Sequence, residues 1–272
     1  MIASLALACT DYVLRGKDED TNVPDDTVDS GDPAVDTDDT DVEDSAADTA
    51  EDTDPETGDP WPATEPVYIN DASTLYSFDP DTRTATRIGT FREGGAALDG
   101  GMTDIAISLD GVMYGGSFDA LYRIDPTTAE CTFVATLGDE LTGLTFVSDG
   151  RLVGAGAGVS FIDVRTGALD TLVAPGAYET SGDIVGLPDG YLYWSVWGGD
   201  LLIRVDPDTG ATRRVGDVGV ERLFGLGYAD GALYAFTGTS DVIVVDETTA
   251  AAGAATDLPV NWWGAATNPV LW

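Results

Sequence analysis

Beyond residue 61 the chain is written in short runs of β-branched and aromatic residues, among them "VYIN", "LYAF" and "VIVVD". Each run ends in a turn signal after about ten residues or fewer, a spacing that predicts an all-β domain. Two turn motifs punctuate it. Asp-Gly pairs at Asp110-Gly111, Asp149-Gly150, Asp189-Gly190 and Asp230-Gly231 recur every 39 to 41 residues and predict tight hairpins. A second motif, fullest in "RVDPDTGATRRVG", opens at Asp79, Asp125, Asp163, Asp206 and Asp246, at intervals of 38 to 46 residues. Its repeated carboxylates are either a repeated metal or catalytic site or repeated architecture.

The surrounding residues decide for architecture. In "DPDTG" the first Asp is placed to accept backbone amides, Pro207 presets φ, and Gly210 takes the left-handed position that ends a turn. Pro is missing from "DVRTG" and "DETTA", and Gly from "DPTTAE". A turn tolerates such losses, whereas a metal site does not tolerate random loss of its ligands.

The stretch from Gly225 to Thr256 shows a whole unit: a Gly-rich strand, an Asp-Gly hairpin, "LYAF", a short loop, "VIVVD", a turn and a last strand. Four strands repeating at a period near 40 residues predict the blades of a β-propeller, with the Gly-rich strand innermost. Five copies are present, but the first begins at a second strand, "VYIN", and the chain ends on "WGAAT", an innermost strand without a blade. The expected fold is therefore a five-bladed β-propeller over residues 61–272, closed by pairing of its N- and C-terminal strands.

Residues 10–60 contrast with this. Asp, Glu, Thr, Pro, Ser, Ala and Gly dominate from Asp18 to Pro60, and residues 1–60 hold 20 acidic against two basic side chains. Such a segment cannot bury enough apolar surface to offset its ordering entropy, which predicts a disordered acidic tether. "DTDDTD" lacks the glycine that a calcium-binding EF-hand loop requires at its sixth position. Ahead of it, "MIASLALAC" (residues 1–9) is similar to the end of a bacterial lipoprotein signal, which implies lipidation at Cys9 and export to the outer membrane or cell surface.

Charge and composition narrow the chemistry. A net charge of −37 argues against nucleic acid as a partner. Histidine and glutamine are absent and Lys17 is the only lysine, so imidazole- and lysine-dependent catalysis is excluded from the folded part. Cys131, in "AECTFVATL", is expected as a small apolar residue on a strand.

The pattern "LYRIDP" with "DGALYA" resembles bacterial propellers with NHL, YVTN or SMP-30-type repeats, over residues 66–272. The resemblance implies the fold and, among SMP-30-like lactonases, a divalent cation held in the channel by Glu, Asn and Asp. The folded part has only Asn70, Asn261 and Asn268 from which to build that set, and virginiamycin-lyase-like propellers use a histidine that this chain lacks.

Propellers bind ligands at the face where innermost strands begin. Aligning those starts gives Asp104, Gly143, Asp183, Phe224 and Trp263, so two carboxylates and two aromatics are expected at one mouth. Glu140, Glu179, Trp197 and Trp262 are expected at its rim, along with two long loops, residues 92–102 and 174–183, and with Arg92 and Arg222 nearby. In the competing reading the aromatics pack between blades and the aspartates cap amides. The leading functional reading is a monomeric, envelope-tethered scaffold binding a cell-envelope protein or carbohydrate at Asp104, Asp183, Phe224, Trp263 and Trp197. Its alternatives are a metal-assisted hydrolase or lactonase with calcium on Asp104 and Asp183, and a structural envelope protein without a small ligand.

Overall fold

The computed structural model describes residues 62–198 and 201–272. Cys9, the signal-like segment and the acidic tether of residues 10–60 lie outside the described residues. The rest forms five sheets, each built on four antiparallel strands.

Blade 1 joins Gly264–Thr267 to Val67–Asn70, Thr74–Asp79 and Thr84–Thr90, innermost strand first. Closure is as expected: Val67 pairs with Thr267 and Asn70 with Gly264, so that the last strand completes the first blade. Blade 2 runs Asp104–Ile107, Met113–Gly116, Ala120–Ile124 and Glu130–Thr136. Blade 3 runs Gly143–Phe146, Leu152–Ala155, Val159–Ile162 and Leu169–Val173. Blade 4 runs Thr180–Gly186, Leu192–Val196, Leu201–Val205 and Thr212–Asp217. Blade 5 runs Leu223–Ala229, Ala232–Thr237 and Asp241–Val245, and its outermost strand is only Thr256–Asp257.

The recurrent Asp motif is the turn between the third and fourth strands. Asp79 Oδ1 accepts the amides of Asp81 and Thr82 at 2.9 and 3.0 Å, and Asp163, Asp206 and Asp246 each accept the amides two and three residues on. Asp125 takes the Thr127 amide and the hydroxyls of Thr127 and Thr128. The fifth residue is left-handed in every copy, including Arg83, Ala129 and Ala250 at φ 53, 62 and 64°. The motif's geometry thus survives the loss of its glycine.

Aromatic and aliphatic side chains fill the spaces between blades. Phe78 meets Phe236 edge-on at 4.9 Å, binding blade 1 to blade 5, and Tyr76 meets Trp262 at 5.2 Å. Cys131 is buried on the outermost strand of blade 2, and burial pushes its thiol up to about 12.

The loop of residues 92–102 departs from expectation. It turns outward, away from the mouth, and Arg92–Glu93 pairs in parallel with the outermost strand of blade 2, itself flanked by Ala96–Ala97. Gly95 donates to the Glu130 carboxylate at 3.0 Å, while buried Phe91 and Met102 anchor the two ends. An otherwise open sheet edge is covered in this way, and Arg92 is spent there.

Candidate functional site

Five residues, one ahead of the axial position on each innermost strand, floor a concavity at one end of the channel: Thr103, Thr142, Gly182, Phe224 and Trp263. The cavity is about 510 Å³, a size typical of small-molecule sites. Phe118 and Trp197, 42% and 51% exposed, stand at its edge with Asp139, Glu140 and Glu179. Trp197 and Phe224 face each other edge to face, with ring centroids 6.4 Å apart. Phe224, Trp263, Trp197, Glu140 and Glu179 therefore line one cavity.

Asp104 and Asp183 do not line this mouth. Both are fully buried one residue deeper, because the true axial column is Asp104, Gly143, Asp183, Gly225 and Gly264. A one-residue offset along a strand sends side chains to the opposite face, so Phe224 and Trp263 stand above the aspartates rather than beside them. Trp262 also departs from the expected rim. It is wholly buried between blades 1 and 5, with Nε1 donating to the Leu258 carbonyl at 3.2 Å. Arg222 is exposed beside Phe224 but does not line the cavity.

In the axial column the aspartates act as staples. Asp104 Oδ1 accepts the amides of Ile105 and Ala265, at 2.8 and 3.0 Å, and Oδ2 accepts that of Leu144 at 2.5 Å. It thereby ties blade 2 to blades 1 and 3. Asp183 does the same from blade 4, accepting its own strand's Ile184 amide and that of Leu226 in blade 5, both at 2.5 Å. The donors are the residues that follow Gly143, Gly225 and Gly264. Those glycines let the strands approach: a methyl on Gly264 would overlap the Asp104 carboxylate. Two hydroxyls complete the ring. Thr145 accepts the Gly186 amide between blades 3 and 4, and Thr267 accepts that of Tyr228 between blades 5 and 1.

The two carboxyls interact electrostatically within the channel. Burial raises both affinities for a proton, Asp104 well above the carboxylate range with the neighbouring Asp183 charge adding to it, and Asp183 up to about 7. Like charges that interact in a desolvated channel favour the protonated form of one of them.

Calcium does not fit this pair. It needs six to eight oxygens free to turn lone pairs inward, whereas both carboxylates already face the positive ends of N–H groups. Asn70 supplies the one neighbouring oxygen without a donor, its amide nitrogen being used on the carbonyls of Asp71 and Met102. Among the described residues no cluster of three or more His, Cys, Asp or Glu side chains is arranged to hold a metal.

No protein-family model and no curated protein sequence matches the chain. Solved structures do. A chain of the nidogen/laminin complex superposes with a TM-score of 0.55 at 12% identity, covering 76% of this chain and 99% of that one. A gluconolactonase from Xanthomonas campestris gives 0.46 at 14% identity, with 78% and 79% covered. Virginiamycin B lyase from Staphylococcus aureus gives 0.45 at 16% identity, with 73% and 69% covered. At these identities the likeness is one of fold.

Proposed function

We propose that the protein is a binding module, tethered at the cell envelope through Cys9, that holds its ligand in the mouth formed by Phe118, Trp197, Phe224 and Trp263. One observation carries this reading: the exposed aromatic groups and the solvated carboxylates share one cavity, while the channel's two buried carboxyls are committed to backbone amides. Large apolar side chains left in water at a concave site mark a surface that awaits a partner. The hydrolase reading loses its support with the same observation, because Asp104 and Asp183 neither reach the cavity nor offer free oxygens to a cation. A carbohydrate or a protein of the envelope is the expected partner class.

The test is retention of solubilised envelope material on immobilised full-length protein, compared between wild type and Trp197→Ala or Phe224→Ala. Components held by wild type and released by both variants support a mouth-centred binding role. Equal retention by all three proteins overturns it.

A further inference from the structure

Resting on that reading, we infer that the mouth selects an organic cation, an alkyl- or arylammonium group whose apolar body stacks on Trp197, Phe224 and Trp263 while its charge faces Glu140 and Glu179. The argument begins with what the lining can offer. No Lys, Arg, Asn or Gln side chain lines the cavity. The hydroxyls that do are largely engaged by the fold: Thr103 donates to the carbonyls of Gly116 and Leu141 at 2.9 and 3.2 Å, and Ser181 donates to that of Leu223 at 3.4 Å. Thr180 Oγ1 receives the Gly182 amide at 3.1 Å. Thr142 alone keeps a hydroxyl without a partner. The mouth thus offers π faces and carboxylates, which accept, no cationic side chain, and as side-chain donors chiefly the indole N–H groups of Trp197 and Trp263 and the hydroxyls of Thr142 and Thr180.

A neutral polyol such as a sugar needs donors as well as acceptors, and an anion needs donors or positive charge. The anion meets no positive side chain, and the polyol meets more acceptors than donors. A cation needs neither. Ring faces carry negative potential and attract an ammonium within about 6 Å of the centroid. Carboxylates at the rim of a low-dielectric concavity add a field of the same sign, and the chain's −37 charge enlarges it at long range. The edge-to-face setting of Trp197 and Phe224 leaves two walls at 72° to each other, a corner into which a compact ammonium head fits.

The same chemistry is presented by a free amine and by a lysine side chain of a polypeptide, and titration of the full-length protein separates them. Tryptophan fluorescence and calorimetry would follow choline beside its neutral isostere 3,3-dimethylbutan-1-ol, benzyltrimethylammonium, glucose, and a lysine peptide beside its Nε-acetylated form. The expected result is saturable binding of the ammonium probes, at least about tenfold tighter than the neutral isostere. Trp197→Ala and Glu179→Gln should each weaken it about fivefold or more, and added salt should weaken it further. Preference for the lysine peptide over both the free ammonium probes and the acetylated peptide assigns the ligand to a protein; tighter binding of the free probes assigns it to a small molecule.

Glucose or the neutral isostere binding as tightly as the cations overturns the inference, as does cation binding that Trp197→Ala leaves unchanged, which would reflect net charge alone. If the mouth variants release envelope material while no ammonium probe binds, the binding role stands and the cation assignment falls. If neither effect is seen, both fall.

Discussion

Asp104 accepts the backbone amide of Ala265 at 3.0 Å, although 161 residues separate them in the chain. This bond joins the first complete blade to the strand that closes the ring. The same side chain reaches Leu144 on its other flank, so one carboxylate spans three of the five innermost strands. The channel is therefore held by polar staples where a small propeller has no room for large apolar side chains, as the glycines of the axial column show.

Removing that staple leaves the amides of Ile105, Leu144 and Ala265 buried without an acceptor. Asp104→Ala should accordingly cost about 3 kcal/mol or more, lowering the melting temperature by roughly 10 °C in a domain of this size. Asp104→Asn, which keeps one acceptor oxygen, should cost less. Thermal unfolding of the full chain checks the ranking, and an unaltered melting curve for the alanine variant would refute the stapling role.

Closure invites a harsher test. Deleting residues 264–272 removes the innermost strand of blade 1, together with the Thr267 hydroxyl that accepts the Tyr228 amide and the Ala265 amide that donates to Asp104 across the blade joints. Val67–Asn70 then becomes a free apolar edge, buried at all four residues in the intact protein. Aggregated or poorly folded protein is expected in gel filtration. A soluble monomer with cooperative unfolding would contradict the clasp.

The turn motif offers a quieter comparison. Gly210 sits at φ 68°, and a side chain there would run into the Leu172 carbonyl of the neighbouring blade. Gly210→Ala should destabilise by about 1–2 kcal/mol, and Asp206→Ala by about 1 kcal/mol through loss of its capping bonds. Neither loss should respond to calcium, because these aspartates hold amides. A calcium-dependent rise in melting temperature that Asp206→Ala abolishes would restore the metal reading for the repeats.

How much of this was legible in the sequence follows from the range of each interaction. The turns were readable because Asp79, Asp125, Asp163, Asp206 and Asp246 cap groups two and three residues away, within one quoted motif. Closure was readable because the missing strand and the surplus strand complement each other. The depth of Asp104 and Asp183 was not, since their partners lie 40 to 161 residues away and only the glycine ahead of each donor marks them. Aligning "TDI", "TGL", "GDI", "FGL" and "WGA" on their central residue would have placed the aspartates with Gly225 and Gly264, and Phe224 and Trp263 one step nearer solvent. The outward path of residues 92–102 had no such marker, because its pairing with Glu130 and Cys131 depends on an edge that only the assembled blade presents.

The axial pair also sets a pH dependence whose direction can be worked out. In the unfolded chain both carboxyls titrate near 3.8, while in the folded protein burial raises both, Asp183 to about 7. Between those values the folded state binds more protons than the unfolded one, so this contribution is fully present below about pH 4 and is lost as pH rises toward 7. The turn aspartates act in the opposite sense. Asp246 is held down to about 2, first by the Thr248 hydroxyl and then by the Thr248 and Thr249 amides, and Asp79 is lowered by its bonds from Thr82 and Asp81. Their stabilisation is present above 3.8 and fades on acidification. Stability should therefore peak at mildly acidic pH, about 4 to 5. With no histidine in the chain, the usual titrating group between pH 5 and 8 is missing, which leaves the slope there to the axial pair. Denaturant unfolding at fixed ionic strength from pH 4 to 8 should show wild type losing stability across this range, and the Asp104→Asn/Asp183→Asn double variant, less stable overall, should lose little. Parallel slopes for the two proteins would show that the channel carboxyls are already ionised in the fold.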